Sequence, residues 1–108
     1  MELSLSGEDS GREAKVVVGD RVVVRLEAAG GAPVQWVVES IRPPLLRQIG
    51  EMECEVLSTA CGGPVMHRYT FEVTAPGPAT LSLGLRSFVE PAHPPYGTFS
   101  AQLDCRRR

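Results

Sequence analysis

The stretch that most restricts how this 108-residue chain can fold runs from Asp20 to Ser40. Val22, Val24 and Leu26 share one face of its first half, and Val34, Trp36 and Val38 share one face of its second. Between the halves lies a loop of small residues, Glu27-Ala28-Ala29-Gly30-Gly31-Ala32-Pro33. Period-two alternation on both sides of a Gly-Gly connection predicts two half-buried β-strands that meet at an exposed turn. With glycines and alanines at its tip, the loop offers mainly backbone to whatever approaches it.

The same reading extends along the chain. Leu3–Ser6 alternates weakly, and Glu13–Val18 is β-branched at its end and closed by the turn signal Gly19-Asp20. Pro43-Pro44 breaks the pattern after Ile41, and Leu45–Gly50 reads as one helical turn or a loop that packs its leucines down. Glu51–Val56 alternates strictly, which predicts Met52, Cys54 and Val56 inward and three glutamates outward. Val65–Thr74 places Tyr69, Phe71 and Val73 on one face, Ala75-Pro76-Gly77-Pro78 is a turn, and Leu81, Leu83 and Leu85 mark the next inner face. In the last strand, Thr98–Cys105, the inward set is Phe99, Ala101, Leu103 and Cys105. Seven or eight short strands with turn chemistry between them, and no helix of three turns, predict an all-β fold. One domain over residues 1–108, an immunoglobulin-like antiparallel β-sandwich with Trp36 in its core, suits the length and spacing.

Composition removes several classes of function. A net charge of −2 argues against general affinity for nucleic acid, which draws on a clustered basic surface. The apolar runs are a few residues long, far short of the roughly 20 that cross a bilayer. The amino terminus is acidic and has no secretory pattern, so a cytoplasmic location and reduced thiols are expected for Cys54, Cys61 and Cys105. No Cys-x-x-Cys pair supports a metal, and no cofactor is expected. Gly-x-Ser-x-Gly, the phosphate-binding loop and His-Glu-x-x-His are all missing. Cys61 and His67 flank one loop, a spacing that does not by itself make a catalytic dyad. The expectation is a protein that is not an enzyme. Arg106-Arg107-Arg108 reads as a frayed, solubilising tail.

Three loops remain: Ala28–Pro33, Ser58–Pro64 and Arg86–Tyr96. If Arg21–Leu26 is strand B of a Greek-key sandwich, they are its B–C, D–E and F–G connections and gather at one end. Gly19-Asp20-Arg21-Val22-Val23-Val24-Arg25-Leu26, the position of Trp36, Tyr69-Thr70-Phe71-Glu72-Val73 with its Ala75-Pro76-Gly77 turn, and Leu81-x-Leu83-x-Leu85-Arg86 carry a family likeness. On these residues the chain resembles the chagasin family of cysteine-protease inhibitors, immunoglobulin-like proteins that block papain-like enzymes with three loops. Where the family's first loop reads Asn-Pro-Thr-Thr-Gly, this chain has Ala29, Gly30, Gly31, Ala32 and Pro33. Its Gly-x-Gly-Gly loop faces Gly62-Gly63-Pro64-Val65, and its Arg-Pro-Trp faces Arg86-Ser87-Phe88.

The resemblance implies a monomer whose partner is a papain-like cysteine protease. It places the protease contacts at Ala29–Pro33, Gly62, Gly63, Arg86 and Phe88. The first loop would lie over the catalytic cysteine, Phe88 would anchor on the enzyme surface, and Arg86 would pair with an acidic rim. The alternatives are an immunoglobulin-like interaction or structural module with another protein partner, and an adaptor docked through its arginine tail.

Overall fold

The computed structural model describes residues 1–57 and 62–108. Among the described residues nine strands follow in order: β1 (Glu2–Ser6), β2 (Arg12–Val17), β3 (Arg21–Ala29), β4 (Val34–Arg42), β5 (Leu46–Gln48), β6 (Glu53–Val56), β7 (Pro64–Val73), β8 (Gly77–Ser87) and β9 (Gly97–Arg106). They form two sheets. One is ordered β1-β3-β7-β5, with β6 also on β7, and the other β2-β9-β8-β4. Because β5 pairs with Val73 to Phe71 and β6 with Arg68 to Val65, the two lie end to end along one edge of β7. Nine strands therefore occupy eight places, in the layout of an immunoglobulin-like sandwich.

The pairing is antiparallel except at two edges. β1 runs parallel to β3, and β2 runs parallel to β9. The chain reverses between them through a 3₁₀ turn, Gly7–Asp9, in which the Asp9 carboxylate accepts from the Ser6 N–H at 2.9 Å. That reversal passes the chain from one sheet to the other, so each of the first two strands is added in the direction left open to it.

The alternating residues meet where the two sheets face each other. Val22, Val24, Leu26, Phe71, Val73, Leu81, Leu83, Phe99, Ala101 and Leu103 are all essentially inaccessible to water, and Trp36 and Tyr69 are buried beside them. Truncating Phe71 or Phe99 to alanine would cost about 3–5 kcal/mol in lost transfer energy and cavity.

Two expectations fail on the β5–β6 side. Leu45–Gly50 does pack its leucines down, but through a short strand rather than a helical turn or a loop: Leu46–Gln48 pairs with β7, Leu46 is buried and Leu45 packs against the core. Cys54 does not point into the core. All four residues of β6 are exposed, Cys54 and Val56 included, although Met52 before it packs against the core. Alternation in sequence requires a covering layer to become burial. β6 is an outer strand whose principal contacts are with β7, so among the described residues its inner face lacks that layer. Its outward glutamates do behave as read, and Glu55 lies 3.2 Å from Arg25 while Glu53 pairs with Arg68. Such exposed pairs add at most about 1 kcal/mol each. Cys105 is buried as expected.

Candidate functional site

Strands β3 and β8 end, and β4, β7 and β9 begin, at the same end of the sandwich. Ala29 is paired with Pro64, and Val34 with Ser87. These pairings bring the three candidate loops together. The Gly30 N–H donates to the Gly63 carbonyl at 3.0 Å, joining the β3–β4 loop to the β6–β7 loop. On the other side, the Phe88 N–H donates to the Pro33 carbonyl at 3.0 Å, joining the β3–β4 loop to the β8–β9 loop. The β3–β4 loop is thus the middle of a continuous row. Ser58–Cys61 of the β6–β7 loop lie outside the described residues.

The middle loop is shorter than its sequence suggests. Ala28 is buried, and Ala28 and Ala29 continue the ladder with β7, so only Gly30–Pro33 projects. Its glycines answer to their neighbours. A Cβ on Gly30 would collide with the Gly63 carbonyl oxygen, and one on Gly31 would lie 3.1 Å from the Gly62 Cα. Gly62 itself has φ +73°, a conformation that glycine adopts without strain. Gly30, Gly31 and Gly62 therefore let two backbones close on each other.

The β8–β9 loop is held in shape by its own bonds. Ser87 Oγ accepts from the Val89 and Glu90 N–H groups at 3.3 and 3.0 Å, and the Glu90 carbonyl accepts from the His93 N–H at 3.0 Å. The rings of His93 and Tyr96 stack with centroids 4.4 Å apart. Phe88 and Val89 project from this frame with 65% and 64% of their surface in water. Behind them a groove of about 400 Å³ runs between the loops, lined by Ala32, Pro33, Val34, Val89, Glu90 and Tyr96 among others.

Beneath the row, Trp36 is fastened to the opposite sheet. In a strand, the N–H and C=O of one residue point the same way, and at Trp36 both are taken by β7. His67 Nδ1 accepts from the Trp36 N–H at 3.2 Å, and the Tyr69 hydroxyl donates to the Trp36 carbonyl at 2.6 Å. The indole Nε1–H donates to the Glu27 carbonyl at 3.0 Å. These bonds fix both roots of the middle loop to the strand that carries its neighbour. Burial lowers the pKa of His67 below its ordinary 6.5, which favours the neutral ring that can accept at Nδ1. The role of His67 was not read from sequence, although a histidine two residues before an inward tyrosine, both on the Trp36 side, was a visible signal. His67 Nδ1 is occupied by Trp36, and Cys61, which flanks the same loop in sequence, lies outside the described residues.

A three-loop edge on an immunoglobulin-like sandwich is the arrangement the sequence resemblance requires, and comparison with known families decides it. A model of the chagasin family peptidase inhibitor I42 matches residues 15–103. The chain belongs to the chagasin family of peptidase inhibitors. Among solved structures it is similar to the cysteine protease inhibitor EhICP2 from Entamoeba histolytica, with 14% identity over 97% of this chain and 96% of that one, and a TM-score of 0.83. Amebosin is similar at 17% identity, covering 98% and 99% of the two chains with a TM-score of 0.76. PbICP-C, solved in complex with falcipain-2, is similar at 13% identity over 100% and 90%, with a TM-score of 0.58. At these identities the likeness is one of fold. No match was found among curated proteins.

The Gly30–Gly63 contact makes the middle loop and its neighbour a fitted pair, in which a side chain on Gly30 would run into the Gly63 carbonyl. Arg86, which the resemblance places against an acidic rim of the protease, also has partners within this chain: its Nε donates to Glu39 Oε1 at 2.5 Å and its Nη1 to the His93 carbonyl at 3.3 Å. The guanidinium lies on the flank of β8 and β4, with both partners supplied by its own chain.

Proposed function

We propose that this chagasin-family inhibitor blocks papain-like cysteine proteases by seating the row of three loops in the active-site cleft, and that it performs no catalytic step of its own. The observation that carries this reading is the pair of backbone hydrogen bonds, Gly30 to Gly63 and Phe88 to Pro33, that join the three loops into one edge. Gly30, Gly31, Ala32 and Pro33 form the narrow middle of the wedge and stand over the catalytic cysteine. With no side chain beyond a methyl group or a proline ring, they let backbone come close to the cleft floor. Gly62 and Gly63 flank them on one side.

Phe88 supplies the anchor on the other. An aromatic side chain left 65% exposed is available for burial against a partner, and such residues tend to dominate interface energy. The bonds that shape the β8–β9 loop before contact reduce the ordering cost of binding. PbICP-C is bound to falcipain-2 in its structure, and the shared fold supports a partner of the same class here.

Titration of papain with the purified protein in a fluorogenic assay tests the proposal. Inhibition with one-to-one stoichiometry is expected, and Phe88→Ala should weaken it about tenfold to a hundredfold. Absence of inhibition at high micromolar protein, across papain and a cathepsin L-type enzyme, would refute it.

A further inference from the structure

The β8–β9 loop has to hold Phe88 and Val89 out in water while its far limb returns to β9. The bonds within the loop have been described, and a further contact ties that far limb to the body of the sandwich. In the β4–β8 ladder Val38 faces Leu83 and Ser40 faces Ser82, so Glu39 is an extra residue with no partner. Such a bulge re-aims the side chain it carries.

The Glu39 side chain crosses Gly84 on the neighbouring strand. A Cβ at residue 84 would run into the Glu39 carboxylate and lie 3.1 Å from its Cδ, so the absence of a side chain there is what lets Glu39 pass. Gly84 has no positive φ to explain its identity. Beyond it, the Glu39 carboxylate meets Arg86 Nε at 2.5 Å, and Nη1 of the same guanidinium holds the His93 carbonyl on the loop's far limb. The planar fork of arginine can serve both acceptors at once, which a lysine ammonium on its flexible stem does less well. With side chains 35% and 32% exposed, the pair is partly shielded from solvent.

We infer that Glu39, which stands outside the three-loop edge, is a positioning residue for inhibition: through Arg86 it sets the β8–β9 loop in its binding-competent shape, and Gly84 is the gap that makes this possible. The inference rests on the proposed role of the three-loop edge. Glu39 acts before contact, on the fraction of inhibitor whose loop is already in place. A lower competent fraction weakens apparent affinity by the same factor, through association rather than dissociation.

The test uses the full chain with Glu39→Ala and Gly84→Ala, made singly and together, and papain as the probe. Each single variant should raise the inhibition constant about fivefold, almost entirely as slower association, with faster amide hydrogen exchange at Val89, Glu90 and His93 in the free inhibitor. The double variant should be little worse than either single one, because both changes break one tie. Unchanged inhibition with unchanged exchange would overturn the inference. So would a loss confined to dissociation, which would mark Glu39 as a direct contact, or fully additive losses. Should the wild type fail to inhibit papain, the functional reading falls, and the exchange measurement still decides whether Glu39 and Gly84 order the loop. Glu39→Ala, an outward position, keeps the question open to measurement if Gly84→Ala folds poorly.

Discussion

Replacing Tyr69 by phenylalanine removes one oxygen atom and little volume. In the wild type that hydroxyl donates to the Trp36 carbonyl at 2.6 Å, with Tyr69 and Trp36 only 5% and 8% exposed. The variant leaves a buried carbonyl without its donor. The cost of an orphaned buried acceptor is about 1–3 kcal/mol, so a loss near 2 kcal/mol and a Tm lower by roughly 8–15 °C are expected. Trp36 is the single tryptophan and serves as the reporter. Urea unfolding followed by its fluorescence should give a lower midpoint with an unchanged slope. Since Glu27 and Trp36 bracket the middle loop, inhibition should also weaken, by less than about tenfold. A stability change below about 0.5 kcal/mol would refute the reasoning, because it would mean that the Trp36 carbonyl is satisfied without Tyr69.

Other expectations concern different parts of the same edge. Burial depresses the pKa of folded His67 below 6.5, whereas the unfolded chain takes up its proton at the ordinary value. Its contribution is therefore complete above about pH 6.5 and declines as the pH falls through the folded pKa. The stability slope between about pH 7.5 and 5.5 should be shallower in His67→Gln, and an equal slope would remove His67 as its source. Gly30→Ala drives a methyl group into the Gly63 carbonyl, and should weaken inhibition about tenfold or more while costing less than about 2 kcal/mol of stability. Retained potency would show that the two loops need not touch. Iodoacetamide on the native protein should modify the exposed Cys54 and spare Cys105, whose thiol pKa is raised by burial and by the Asp104 carboxylate. Peptide mapping before and after unfolding reads this directly, and early labelling of Cys105 would contradict its place in the core.

The fold was legible because its governing signal is local. Val22, Val24 and Leu26, then Tyr69, Phe71 and Val73, then Phe99, Ala101 and Leu103, alternate in sequence and are buried in the structure for the same reason. Where the signal depends on a neighbour, it misleads. Met52, Cys54 and Val56 alternate as cleanly as any core strand, yet among the described residues no layer covers β6, and Cys54 and Val56 are exposed. Leu45–Gly50 is too short for a period to declare itself, and its strand exists because β7 offers a free edge.

The candidate site divides in the same way. Sequence by itself determined that this chain is a β-sandwich built around Trp36, and that three connections rich in glycine and proline are left for function. That follows from alternation and turn chemistry, which act between near neighbours. Tertiary structure alone decided what those residues do. Gly30 meets Gly63, His67 and Tyr69 meet Trp36, and Glu39 meets Arg86 across 47 positions of sequence. Each of these contacts crosses between strands or loops brought together by the fold, and no spacing along the chain encodes the distance between them.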